Sequence, residues 1–271
     1  MPTQNFKGQK IWQRRTGRES LGHWIMWLIG VAIFAYCWQQ ISAVTTWFFV
    51  WDAPRIADDI WTRATPPRWG YITQLGEPIW DTLNMASLGT ILSLILAVPV
   101  AFLAARNTTP SLLFIRPVAL LIIVSTRSIN SLIWALLLIA IIGPGVFAGV
   151  IAIAIRSIGF CAKLLYEAIE EIDQTQVEAI TATGASRWQV MAYGIVPQVL
   201  PAFAGIAVFR WDINIRESTV LGLVGAGGIG LQLSSSLNVL AWPQVSLILL
   251  VILAAVVISE WVSAKVRGAI I

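Results

Sequence analysis

The chain is 271 residues long, 57% hydrophobic and 12% charged, with a formal net charge of +4, whereas soluble domains run at roughly 45–50% and about 25%. This excludes a water-soluble globule and fits one helical bundle crossing a hydrocarbon core of roughly 30 Å, because the apolar runs are continuous rather than alternating as in a barrel. Cys37, Cys161 and the single His23 offer no metal-ligand spacing, and basic residues scattered around the apolar runs read as orientation signals, not as a nucleic-acid surface.

Residues 1–20 form a basic N-terminal segment with Lys7, Lys10, Arg14, Arg15 and Arg18 against the single acid Glu19. The apolar run from Leu21 to Trp38 is too long for a signal-peptide core and lacks a small-residue cleavage site, so it predicts a first span with a cytoplasmic N-terminus. From 41 to 79, Trp47, Trp51, Trp61 and Trp69 alternate with charges, and Pro66-Pro67 interrupts the segment. Such aromatic density predicts an amphipathic segment at the outer interface. The core, about 80–271, holds spans at Thr82–Ala105, Val118–Ile142, Val146–Leu165, a fifth from Val199 through Val208, and Val245–Val262.

Six spans place both termini on one side. Lys163, Arg106, Arg116, Arg187, Lys265 and Arg267 then join the N-terminal basic residues in the cytoplasm, against Arg55, Arg63 and Arg68 outside. The polar stretch at about 166–197 becomes a cytoplasmic loop. Within it, Thr175-Gln176-Val177-Glu178 matches a capping box, so a helix is predicted to start near Gln176 and stop at Gly184. Ser186-Arg187-Trp188-Gln189 is a second match, starting a helix that runs toward Gly194 and Pro197.

Gly225-Ala226-Gly227-Gly228-Ile229-Gly230 spells the dinucleotide-binding fingerprint. It is rejected, because that motif needs a preceding strand, a βαβ unit and an acid about 20 residues on, and here its neighbours are membrane spans. A packed or flexible bend, with a role at a gate, is the expectation. No Walker A sequence is present, so the chain is predicted to bind no cofactor itself and to draw any ATP energy from a partner.

A cytoplasmic helix, glycine corner and helix on such a chain suit the docking of a motor subunit. Glu178-Ala179-Ile180, then Gly184 and Pro197, resembles the EAA loop of ABC-importer permeases, although the family pattern has alanine where Ile180 stands, isoleucine at Gly194 and leucine at Val196. The runs Tyr193–Pro201, Phe209–Arg216 and Val220–Gly230 resemble the phosphonate, phosphite and hypophosphite branch of those permeases. The resemblance covers roughly Asp81 to the C-terminus. It implies an all-α type I importer permease in the bacterial inner membrane, with two ABC ATPase subunits carrying ATP and Mg, a second permease subunit of the same or a related chain, and an extracytoplasmic binding protein. It also implies ATPase coupling through Gln176, Glu178, Ala179, Thr183, Gly184 and Pro197.

The charges at membrane depth are read from spacing. Arg127, Asn130 and Ser131, at i, i+3 and i+4, are expected on one face of the third span, where a guanidinium would offer donors to an oxyanion. The alternative has Arg127 snorkelling to an interface or paired with an acid. Asp212 with Arg216, Arg210 with Asn214, and Arg156 with Glu217 are expected to pair within the bundle or its gate. Two other classes stay open: a stand-alone secondary transporter or channel, which would need no docking loop, and a membrane-embedded enzyme, for which the chain offers one histidine, His23 at the start of the first span, and no suitably spaced acid pair.

Overall fold

The computed structural model describes residues 3–6, 9–12 and 17–270. Lys7, Arg14 and Arg15, three of the expected orientation signals, lie outside the described residues. The chain divides into two compact units, Met1–Thr62 and Arg63–Ile271. In the first, strands β1 (Thr3–Phe6) and β2 (Gln9–Trp12) pair antiparallel, followed by helix α1 (Gly17–Val44) and by α2 (Trp47–Ala64), none of whose residues is buried. The first span is therefore longer at both ends than the apolar run alone suggested. Helix α2 makes up about half of the 41–79 segment expected at the outer interface.

The second unit is all helix among its regular elements. A 3-10 turn (Trp69–Gln74) leads to α3 (Gly76–Ala104), α4 (Ile115–Ser128), α5 (Ser131–Ile142) and α6 (Val146–Glu170). After the short α7 (Gln174–Ala182) and α8 (Arg187–Val190), a π turn at Met191–Ile195 opens α9 (Val196–Leu221). A second π turn at Gly222–Ala226 leads to α10 (Gly228–Asn238) and α11 (Trp242–Ile270). Five helices are long and apolar enough to cross a membrane, or six spans if the bent pair α4 and α5 counts as one.

That pair corrects the straight third span. The two helices meet at 86°, because Asn130 leaves the helical conformation (φ −67°, ψ 144°) and its side chain accepts from the Leu132 amide. On the preceding turn, Ser128 and Thr126 hydroxyls donate to the Val124 and Ile122 carbonyls at 2.7 and 2.8 Å. Both ends of the break thus satisfy backbone groups internally, as a low-dielectric setting demands.

The core follows from small residues. Gly89 and Gly149 let α3 and α6 approach so closely that a Cβ would stand 2.8 Å from Ile153 Cγ2 at the first and 2.4 Å from Met85 Sδ at the second. One buried cluster joins Ala97, Ala101 and Ala104 of α3 to Ala119 and Ile123 of α4 and to Cys161 and Leu165 of α6. At the same end of the unit, Glu170 accepts from the Arg106 amide at 2.9 Å and from Arg116 Nη2 at 3.5 Å, while Asn107 Nδ2 donates to the Ile169 carbonyl at 2.6 Å. These contacts tie the end of α3 to the end of α6. The α6–α7 corner therefore leaves from a fixed point.

Candidate functional site: an exposed helical corner and a buried charge ladder

The corner between α6 and α9 starts on a different residue from the one its pattern suggested. Asp173, not Thr175, caps α7: its carboxylate accepts from the Thr175 amide at 2.9 Å, and the helix begins at Gln174 rather than near Gln176. An aspartate in extended conformation serves this role as well as threonine, and it stands first in the chain. The donated Thr175 amide holds the Asp173 carboxyl below its ordinary value of 3.8.

At the other end, Gly184 takes φ +81° and its amide donates to the Thr181 carbonyl at 3.0 Å. A left-handed residue is needed to close the turn, and glycine adopts that conformation without a Cβ clash. The second capping box forms as expected, with the Ser186 amide donating to Gln189 Oε1 at 2.8 Å.

Pro197 does not end the second helix. The π turn at Met191–Ile195 carries the chain straight into α9, and Pro197 stands in its first turn, where a missing amide costs least. Gln198, which sequence reasoning passed over, fastens the corner: Oε1 accepts from the Asp173 amide at 3.0 Å and Nε2 donates to the Gly194 carbonyl at 2.7 Å. No local pattern marks it, since its partners lie 25 residues away and one turn back.

Val177 and Ile180 form the inner face of α7 and press on Gly194, where a Cβ would stand 3.4 Å from Ile180 Cδ1. Two of the three departures from the resembled loop pattern, Ile180 and Gly194, thus meet in space. A larger side chain at 180 faces a missing one at 194.

Gln176, Glu178, Ala179, Thr183, Gly184 and Pro197 are all exposed. Beside them, Ile180, Thr183, Gly184, Ala185, Gln189 and Tyr193 line an open groove of about 400 Å³. Trp188 and Tyr193 stand 78% and 72% exposed on the same corner.

Inside the bundle a ladder of polar side chains crosses four helices. Thr90 of α3 accepts from Asn214 Nδ2 at 2.8 Å, and Asn214 Oδ1 accepts from the Ser157 hydroxyl of α6 at 3.2 Å. Ser157 in turn accepts from Arg210 Nε at 2.9 Å, and Arg210 Nη2 donates to Glu217 Oε1 at 3.3 Å. Glu217 also pairs with Arg156 of α6, whose Nη1 reaches the Ser131 hydroxyl of α5 at 3.4 Å.

Arg210 is 2% exposed and lies 5.1 Å from the centre of the Phe160 ring. A second station pairs Arg216 with Asp212, whose Oδ1 accepts from the Ser259 hydroxyl of α11 at 2.8 Å. Two pairings match expectation, Asp212 with Arg216 and Arg156 with Glu217. The third does not: Arg210 and Asn214 share Ser157 instead of touching, because the hydroxyl between them can accept from one and donate to the other.

The expected face of Arg127, Asn130 and Ser131 is broken by the bend. Arg127 is exposed on α4, Asn130 caps α5, and only Ser131 enters the ladder. The glycine-rich run is a kink between helices, not a nucleotide loop. Gly227 takes φ +89° and the Ile229 amide donates to Thr82 Oγ1 at 2.9 Å.

Several long apolar helices, a keyed polar interior and an exposed corner projecting between two of the spans define a multi-pass membrane transport subunit. The chain belongs to the family of binding-protein-dependent transport system inner membrane components, whose model matches residues 97–266. It is similar to the phosphite transport system permease protein PtxC of Stutzerimonas stutzeri, 37% identical over 256 residues that cover 94% of this chain and 90% of that one. It is also similar to the phosphate-import permease protein PhnE of Mycolicibacterium smegmatis, 41% identical over 205 residues, 76% of this chain and 38% of that one. Among solved structures, the inward-facing MetNI methionine ABC transporter superposes with a TM-score of 0.64 at 20% identity, over 74% of this chain and 98% of that one. The fold is that of the ABC importer permeases, and the family is one of transport components rather than enzymes.

Proposed function

We propose that this chain is the pathway-forming permease of an ATP-driven importer for a phosphorus oxyanion such as phosphite or a phosphonate. The observation that carries the substrate class is the 37% identity, along 94% of the chain, to a permease named for phosphite transport. The exposed α7 corner supports the coupling role. It is fastened to α9 through Gln198 and leaves α6 at a clamped end, so a push on α7 moves both spans together.

The full assembly has two ATPase subunits that hold ATP and Mg, a second permease subunit and an extracytoplasmic binding protein, with the permease subunits in a bacterial inner membrane. With α4 and α5 counted as one broken span, both termini are cytoplasmic, in line with the distribution of Lys and Arg. ATP-driven closure of the partner subunits brings the two α7 helices together, α6 and α9 swing, and the path opens outward to receive ligand.

The test is reconstitution of the complex with its binding protein and a ligand-stimulated ATPase assay across phosphite, a phosphonate, hypophosphite and phosphate. Stimulation by one or more of the reduced-phosphorus ligands is expected. Stimulation by none of the four, or recovery of no ATPase partner, overturns the reading.

A further inference from the structure

We infer that Arg156 is the intramembrane contact for the transported oxyanion, held ready by Glu217 and the buried Arg210. This rests on the reading of the chain as an oxyanion permease. The two guanidiniums are not equivalent. Arg210 is sealed, with its side chain 2% exposed and engaged by Ser157, Glu217 and the Phe160 face.

Arg156 stands midway along α6 with 31% of its side chain exposed. Only its Nη1 is engaged among the described residues, by Glu217 and Ser131, so Nε and Nη2 still carry three unspent donors. Two arginines share one carboxylate, leaving this group one positive charge in excess. The neighbouring Asp212 and Arg216 cancel each other.

A partly exposed, positively biased guanidinium far from either end of a span is costly against lipid and belongs on a watery path. Its open edge matches the oxygens of a tetrahedral oxyanion in a two-point contact. Glu217 sets the strength of that contact. Pinned by Arg210, it cannot swing away, so it competes with the passing anion for Arg156 and keeps binding weak enough for release.

The first-turn amides of α5 do not add to the site. Asn130 already takes the Leu132 amide with its side chain and the Ile133 and Trp134 amides with its carbonyl. Ser131 serves to position Arg156.

The experiment uses the reconstituted complex with its binding protein and phosphite as the probe. For Arg156→Gln, unchanged assembly is expected, with uptake falling between about 10- and 100-fold, the range for losing a hydrogen bond to a charged group. Arg156→Lys should retain an intermediate rate, since it keeps the charge but loses the fork. Lys163→Gln, at an exposed pair on the same helix, should match wild type. Uptake by Arg156→Gln within about twofold of wild type, or assembly falling in step with uptake, overturns the proposal.

A second arm needs no knowledge of the substrate. In a Cys37→Ser, Cys161→Ala background, Arg156→Cys should react with a membrane-impermeant anionic thiol reagent, and failure to react while an exposed control cysteine does overturns the placement on a path. Labelling of Arg156→Cys, with a wild-type complex that transports no phosphorus oxyanion, would leave the path in place and overturn the substrate class.

Discussion

Removing Glu217 tests whether the polar ladder holds the bundle together. In Glu217→Ala, Arg210 keeps a charge that water cannot reach, since its side chain is 2% exposed and Glu217 itself only 14%. The Ser157 hydroxyl and the Phe160 face stay, but neither carries a countercharge. Breaking a buried pair from one side costs about 3–5 kcal/mol. At roughly 2–4 °C per kcal/mol for a domain of this size, the midpoint should fall by about 6–20 °C.

Melting in detergent with a thiol-reactive dye reads this directly, because Cys161 is 1% exposed and becomes reactive only as the core opens; Cys37→Ser removes the exposed thiol. The companion variant Arg210→Met with Glu217→Leu deletes both charges. It should lie within about 1 kcal/mol of wild type, because apolar groups of similar volume replace a desolvated pair at little net cost and Arg156 can turn its head to water. A midpoint for Glu217→Ala within about 2 °C of wild type, or equal losses in the single and double variants, would refute the account of a buried charge held by its partner.

Gly194→Ile should displace α7, since its added carbons start 3.4 Å from Ile180 Cδ1; ligand-stimulated ATPase should drop, and Ile180→Ala in the same chain should restore much of it. No rescue by the double variant would break the proposed link between the two positions. Gly184→Val places a β-branched residue at φ +81°, a conformation costing roughly 1–2 kcal/mol, and should separate ATP hydrolysis from uptake; normal uptake with normal stimulation counts against the corner as the coupling element. The α7 cap should respond to acid. The Asp173 carboxyl is held below 3.8 by the Thr175 amide, so the cap is at full strength above that value and weakens as pH falls through the lower folded-state value. Protection of the Thr175 amide, taken relative to its intrinsic exchange rate at each pH, should fall only on that acid side, and in Asp173→Ala it should be low at every pH.

What the chain alone determined is whatever lies within a few residues of itself. Apolar runs of spanning length mark the long helices, Gly184 marks a stop, Ser186 with Gln189 marks a start, and Asp212 with Arg216 meet because four residues make one helical turn. The resemblance of the Glu178–Gly184 corner to a known loop was legible for the same reason, being a local string.

Packing decided the rest. Asn130 looks no different from a polar residue on a continuous span until α5 turns away at 86° and its side chain becomes a cap. Thr175 and Asp173 are both good caps, and the choice falls to Asp173 because Gln198, across the corner, takes up the Asp173 amide. Arg210 is four residues from Asn214, yet its bonds go to Ser157 on a neighbouring helix and to Glu217 two turns on. A buried polar group must find every partner that water would have supplied, and those partners are set by which helices touch. Spacing along one helix says which groups share a face. Only the assembled bundle says what that face meets.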